Sequence, residues 1–230
     1  VHLHLGRRVG AEDLQGYDEI IIATGVLPRD PKIPGQDHPK VMNYADLLGE
    51  GRRLAGTVAV IGAGGIGFDV AEYLVSGGHS TALDAAAWRA EWGVADPAEA
   101  RGGLAPAGPC IEPPACRVLL LQRSAGKPGG RLGKTTGWIH RATLKMKQVE
   151  MRGGLHYERI GDQGLLVSHG EKRERPEWIA CDHIVLCAGQ VPERSLAEQL
   201  AGRGLSVHTI GGAFEARELD AKRAIDQAAR

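Results

Sequence analysis

The chain has 230 residues, 43% hydrophobic and 24% charged, with Lys plus Arg and Asp plus Glu both at 28. That length allows one large or two small domains, each with a normal core. A neutral chain gives no electrostatic case for nucleic acid or an anionic membrane surface, and no apolar run reaches the roughly 18 residues of a membrane-spanning helix.

In chain order, residues 8–10 form a short candidate strand after a turn at Gly6. Residues 17–24 (YDEIIIAT) predict a buried strand closed by Gly25. Pro28, Pro31, Pro34 and Pro39 exclude regular pairing over residues 26–39, which read as a crossing between domains. A short helix is expected over residues 46–53. Residues 57–61 (TVAVI) predict a buried strand and residues 68–75 a helix. Residues 77–114, rich in Ala, Gly and Pro, read as a surface insertion with one short helix near residues 84–92. Trp88 and Trp92 stand four apart on that helix and are expected to anchor the insertion. The next strong strand is 117–122 (RVLLLQ), followed by a helix over 135–148. Residues 155–160 and 165–169 predict a hairpin or meander, with residues 178–180 as a further candidate strand. Residues 171–175 (EKRER) read as a solvated loop. A buried strand at 183–187, a helix at 194–201, a strand at 205–210 and a final helix at 216–230 complete the chain.

The chemistry concentrates at Gly62-Ala63-Gly64-Gly65-Ile66-Gly67. A strand before it and a helix after it supply the context of a dinucleotide fingerprint. Gly62 permits the tight turn, Gly64 lets a pyrophosphate approach the backbone beside Gly65, and Gly67 lets the helix pack on the strand. The N–H groups at the helix start then face phosphate, aided by the helix dipole. The alternative is an ordinary strand–helix turn in a chain with 33 glycines.

Two strand ends are alike: Ala23-Thr24-Gly25 and Cys187-Ala188-Gly189 each follow an apolar run. Small residues there let the backbone turn beside a nucleotide. Their placement on either side of the Gly62 loop predicts one nucleotide domain inserted into another. The strand ending at Gly211-Gly212 fits the closing piece of the outer one. The expected division is residues 1–46 and 190–230 for the outer domain, with residues 47–189 between them. The cysteines, Cys110, Cys116, Cys181 and Cys187, include no Cys-x-x-Cys pair. Metal or iron–sulfur ligation within the chain is therefore not expected, and reduced thiols fit a cytoplasmic protein.

The nesting resembles the paired flavin and pyridine-nucleotide domains of glutathione-reductase-like enzymes. The expected fold class is thus α/β, with an NADP Rossmann-like domain inserted into a partial FAD domain. Residues 23–41, 60–74, 91–93 (EWG), 120–141, 187–192 (CAGQVP) and 210–225 point more narrowly, and residues 133–141 (GKTTGWIHR) most of all. They resemble the C-terminal part of bacterial NADPH-dependent 2,4-dienoyl-CoA reductases. The resemblance implies hydride transfer from NADPH to FAD. Electrons then pass through a 4Fe-4S cluster to FMN in an upstream barrel, which reduces the dienoyl thioester. It also implies that the natural sequence extends upstream of Val1 and slightly past Arg230, and that the catalytic residues lie upstream. Related barrel flavoproteins, enoate reductases or amine dehydrogenases, are the alternative, as is a non-catalytic nucleotide-binding module.

The cofactor choice is also argued from charge. An NAD site places an acid after the second strand to hold the ribose 2′-hydroxyl. Here residues 117–122 run into Arg123 and Ser124, with Lys127 beyond. A cation and a hydroxyl suit a 2′-phosphate. Arg131 and Lys134 are weaker candidates, and the alternative is a solvated basic turn. By position in the family, Trp138 is expected at the flavin and Val9 at the adenine. Gly211, Gly212, Leu219, Asp220 and Ala221 are expected near the flavin pyrophosphate or ribityl chain. Related flavoproteins often carry Gly-Asp where this chain has Gly211-Gly212. His140 and His38 read as structural.

Overall fold

Apolar runs bounded by glycine set most elements of the computed structural model, which describes residues 1–76, 80–217 and 221–229. A 3-10 turn, Ala11–Leu14, precedes β1 (Glu19–Ile22), β2 (Val26–Pro28), β3 (Val41–Asn43) and α1 (Tyr44–Gly49). Then come β4 (Thr57–Ile61), α2 (Gly65–Val75), α3 (Ala85–Trp92), β5 (Arg117–Leu121) and α4 (Gly137–Met146). Next are β6 (Glu150–Arg152), β7 (Leu155–Gly161), β8 (Gly164–His169), β9 (Glu174–Ile179) and β10 (His183–Leu186). The chain closes with β11 (Gln190–Pro192), α5 (Ser195–Leu200), β12 (Ser206–Thr209), α6 (Gly211–Phe214) and α7 (Ala221–Ala228).

The chain forms two compact units, Asp30–Ala188 and a second made of Val1–Arg29 with Gly189–Arg230. The larger unit is built on a parallel sheet of order β3-β10-β4-β5-β6. Alternate residues of each strand point to opposite faces. Val58, Val60, Leu120 and Val185 join Phe68 and Leu74 of α2 and Leu144 of α4 on one side. Ala59, Ile61, Leu119, Leu121 and Ile184 pack with Leu155, Leu165, Val167 and Ile179 of the antiparallel β7-β8-β9 meander on the other. Covering both faces is what makes the strands read as unbroken apolar runs.

The insertion after α2 is organised differently from expectation. Asp84 caps α3 by accepting from the Ala86 and Ala87 N–H groups at 3.0 Å, and Gly93 ends the helix in the left-handed region at φ 66°. Trp88 and Trp92 do pack together, with ring centroids 6.3 Å apart, but Trp88 is 43% exposed. The deeper fastening is polar. Lys147, 8% exposed, places Nζ 3.3 Å from Glu91 Oε1 and donates to the Glu112 carbonyl at 3.1 Å.

The smaller unit contains a parallel pair, β1 with β12, in which Ile20 lies opposite Val207. Its core is Ala11, Ile20, Ile22, Leu200 and Ala213. The buried strand expected over residues 17–24 is corrected: the strand spans Glu19–Ile22, only Ile20 and Ile22 of it are buried, and Ile21 is 63% exposed. A two-stranded sheet with a core on one face explains that alternation. Residues 8–10 form no strand. Pairing does reach the proline stretch, because β2 and β11 make an antiparallel ribbon with Val191 opposite Leu27. Pro28 and Pro192 sit at ribbon ends, where a missing N–H is tolerated. Since β3 pairs with β10, the division between units falls after Arg29 rather than at residue 46. Glu174 and Arg175 open β9 instead of lying in a loop; of the helix expected over 216–230 the described part is α7, Ala221–Ala228, residues 216–217 are not helical, and a separate short α6 follows β12.

Candidate nucleotide-binding site

In the larger unit the chain leaves β4 toward β5 on one side, while β10 lies on the other side. Such a reversal opens a crevice at the carboxyl ends of parallel strands. The glycine loop sits there. Gly62 has φ 116°, and a Cβ on it would overlap the Cys187 carbonyl oxygen. Its N–H donates to the Leu121 carbonyl at 2.8 Å, and the Cys187 N–H donates to that of Ile61 at 2.8 Å, so the loop is tied to both neighbouring strand ends. A Cβ on Gly67 would overlap the Gly62 carbonyl oxygen. These two glycines are explained by the protein's own packing.

Gly64 and Gly65 are not. Both are exposed, both have ordinary backbone angles, and a Cβ on either would meet nothing within 4 Å. Gly64 is the N-cap of α2 and makes no side-chain cap. The first helical bond is Phe68 N–H to the Gly64 carbonyl at 3.1 Å, which leaves the N–H groups of residues 65–67 without intrahelical partners. The first turn of α2 holds no acid. The cradle thus fits the pyrophosphate of a dinucleotide: open space, free donors and the positive end of an 11-residue helix. Below it, burial pushes the Cys187 thiol up to about 12, with the Asp69 charge adding to the effect. The neutral thiol belongs to the buried cluster that also holds Ala63 and Phe68.

The turn after β5 is rigid. Gln122 Nε2 donates to the Ser124 and Gly126 carbonyls at 3.0 and 2.8 Å, and the Gly154 N–H donates to Ser124 O at 2.9 Å. Arg123, Ser124 and Lys127 are exposed on this turn. Arg123 and Lys127 make no side-chain hydrogen bond or ion pair among the described residues. Because β4 and β5 are adjacent in register, the fold brings this basic turn beside the glycine loop. The charge pattern of the region is a signal that motif reading missed. Between Glu112 and Glu150 there is no acid, while Arg117, Arg123, Lys127, Arg131, Lys134, Arg141, Lys145 and Lys147 all fall there. Trp138 lies in the first turn of α4, 59% exposed. His140 is indeed bonded, its Nδ1 lying 2.7 Å from Glu72 Oε1 of α2.

In the smaller unit, Ala23, Thr24 and Gly25 follow β1, and Gly211 and Gly212 follow β12, so the parallel pairing gathers them at one end. Thr24 Oγ1 donates to the Glu193 carbonyl at 2.6 Å. A Cβ on Gly212 would come within 2.8 Å of Val26 Cγ1 and 3.1 Å of the Gly25 carbonyl carbon, so packing explains that glycine. Gly211, at φ 60°, donates its N–H to Gln227 Oε1 at 2.8 Å. Gly189, at φ 103°, faces the Arg29 guanidinium. Val9 is 38% exposed on irregular backbone. Ala221 opens α7, and Leu219 and Asp220 lie outside the described residues.

Among the described residues, no group of three His, Cys, Asp or Glu side chains is placed to hold a metal ion, and no helix is long and apolar enough to cross a membrane. Residues 2–213 match the family described as pyridine nucleotide-disulphide oxidoreductase. The chain is 27% identical over 204 residues to a metal reductase of Desulforamulus reducens, covering 88% of this chain and 29% of that protein. A 2-naphthoyl-CoA reductase bound to 2-naphthoyl-CoA has the same fold, with TM-score 0.69 and 21% identity over 95% of this chain and 27% of the other. So does the 6-hydroxypseudooxynicotine amine oxidase of Pseudomonas geniculata, with TM-score 0.69 and 24% identity over 97% of this chain and 30% of the other. The chain therefore spans under a third of the length of these proteins.

Proposed function

The chain belongs to the pyridine nucleotide-disulphide oxidoreductase family, and on that premise we propose that it is the electron-input part of an NADPH-dependent 2,4-dienoyl-CoA reductase. In this reading NADPH binds the larger unit and FAD the smaller one. The FMN, the 4Fe-4S cluster and the thioester site belong to an upstream barrel of the same polypeptide. Bound NADPH supplies a hydride, and bound FAD supplies the ring that accepts it.

The observation that carries the reading is the division among the loop glycines. Gly62 and Gly67 are required by packing, whereas a Cβ on Gly64 or Gly65 would meet no atom of the described residues within 4 Å. The N–H groups of residues 65–67 receive the pyrophosphate there. Arg123 holds the 2′-phosphate through its planar fork, Ser124 adds a neutral donor and Lys127 a second charge. In the smaller unit, Ala23, Thr24, Gly25, Gly189, Gly211 and Gly212 present backbone to the flavin nucleotide, and Val9 contacts adenine through its backbone. Ala221, which opens the last described helix, lies at the flavin pyrophosphate or ribityl chain.

A second reading, the corresponding part of an amine-oxidising barrel flavoprotein, is favoured by the equal TM-score of 0.69 to the amine oxidase. The two differ in their use of NADPH. Titration of the chain with NADPH and NADH, followed by NADPH-dependent reduction of an artificial acceptor with FAD present, separates them. A dienoyl-CoA reductase part binds NADPH well over NADH and reduces the acceptor. Failure to bind either nucleotide supports the amine-oxidising reading. A charge-assisted bond is worth about 1.5–3 kcal/mol, so Arg123→Ala should weaken NADPH about 10- to 150-fold and NADH little.

A further inference from the structure

The hydroxyl oxygen of Tyr157 is covered by protein yet has no hydrogen-bond partner among the described residues. Buried phenols normally find one, and an unpaired one destabilises the fold. Tyr157 stands on β7 where the register against β8 shifts, between Tyr157 and Arg159. Such a bulge re-aims a side chain and recurs beside functional sites. The start of β7 is fastened to the turn that carries Arg123. The Gly154 N–H donates to the Ser124 carbonyl at 2.9 Å and the Leu155 N–H to that of Gln122 at 3.1 Å. Burial pushes the Tyr157 phenol up, and the Arg123 charge pulls it partly back. A phenol oxygen lacking a donor and a guanidinium with unspent donors thus share one corner of the larger unit.

We propose that Tyr157 is a positioning residue for Arg123: its hydroxyl oxygen accepts one guanidinium N–H when a 2′-phosphate draws Arg123 into place, which leaves the rest of the fork for the phosphate. The proposal rests on the reading of Arg123 as the 2′-phosphate ligand. It gives the hydroxyl oxygen, which bonds no atom of the described residues, a donor in the nucleotide complex. Tyr157 then acts as a specificity determinant that never touches the nucleotide.

The test is a double-mutant cycle on the whole chain, with dissociation constants for NADPH and NADH and Tm for wild type, Tyr157→Phe, Arg123→Ala and the double variant. Tyr157→Phe should keep or raise Tm, because it deletes an unsatisfied group. It should weaken NADPH about three- to tenfold, leave NADH unchanged, and have no further effect when Arg123 is already Ala. If Tyr157→Phe leaves NADPH affinity at the wild-type value while Arg123→Ala lowers it, the positioning role is wrong and the reading of Arg123 stands. Equal weakening of both nucleotides by Tyr157→Phe also overturns it, since that outcome means lost packing. If Arg123→Ala changes neither affinity, the reading of Arg123 fails and takes the proposal with it.

Discussion

β4 and β1 are both short apolar strands that run parallel to a neighbour and end before a glycine-containing turn, yet they are buried differently. In β4 every residue from Val58 to Ile61 is covered, because α2 and α4 pack on one face of its sheet and the β7-β8-β9 meander on the other. In β1 only Ile20 and Ile22 are covered, while Ile21 and, after β12, Phe214 remain 63% and 50% exposed. Parallel pairing is marginal unless both faces are covered. The comparison separates two kinds of glycine turn as well. The turn after β4 is locked by its own packing at Gly62 and Gly67, so the space at Gly64 and Gly65 is held open by a rigid frame.

The largest effect is expected where that frame is broken. Gly67→Ala puts a Cβ onto the Gly62 carbonyl oxygen, a backbone atom that cannot step aside. We expect a loss above about 2 kcal/mol, read as a fall in Tm and in the denaturant midpoint. A fully stable Gly67→Ala protein would mean that the α2–β4 approach is looser than described.

The contrast between the sheets is sharpened by hydrogen exchange. Amides of β1 and β12 should exchange at least about tenfold faster than those of β4, β5 and β10, because a half-covered pair opens at lower free energy. Equal protection in the two sheets would contradict the difference in their burial.

The smallest effect concerns the meander that covers the larger sheet. Glu177 accepts from His169 Nε2 at 2.6 Å and pairs with Arg152. The His169 bond first, and the Arg152 contact after it, hold its carboxyl below the usual 4.5. A lowered folded value contributes stability that is present above about pH 4.5 and lost as pH falls through the folded value. Glu177→Gln should flatten that acid limb by under about 1 kcal/mol, as the pair is half-exposed. An unchanged stability profile between pH 3 and 5, on the order of that window, would remove the pair from the account.

Much of the larger unit is legible in the sequence because its strands are covered on both faces. Residues 57–61, 117–122 and 183–187 read as strands from hydrophobicity alone, the structure ending the last two one residue earlier, and the glycine spacing locates the loop. The smaller unit is less legible for the same physical reason. The run Ile20-Ile21-Ile22 looks uniformly buried, whereas Ile21 faces outward. The ribbon of β2 and β11 is hidden by Pro28 and Pro192, which only their end positions make tolerable. At the site, the spacing assigns Gly62 to the turn and Gly64 to the pyrophosphate, but the contact that requires Gly62 is absent from the sequence, since it depends on where the Cys187 carbonyl lies. Tyr157 is hidden for a similar reason: that its buried hydroxyl bonds no atom of the described residues is a property of packing, not of the sequence.

The central claim is that Gly64 keeps space for a pyrophosphate rather than serving the fold, and Gly64→Val tests it most directly. A Cβ at residue 64 meets no atom of the described residues within 4 Å and the backbone there is unstrained, so the variant should stay folded, with stability within about 1 kcal/mol of wild type for the changed N-cap. Titration with NADPH should show binding abolished in the same sample. Wild-type NADPH affinity in a folded Gly64→Val protein would contradict the claim and reduce the loop to a structural turn.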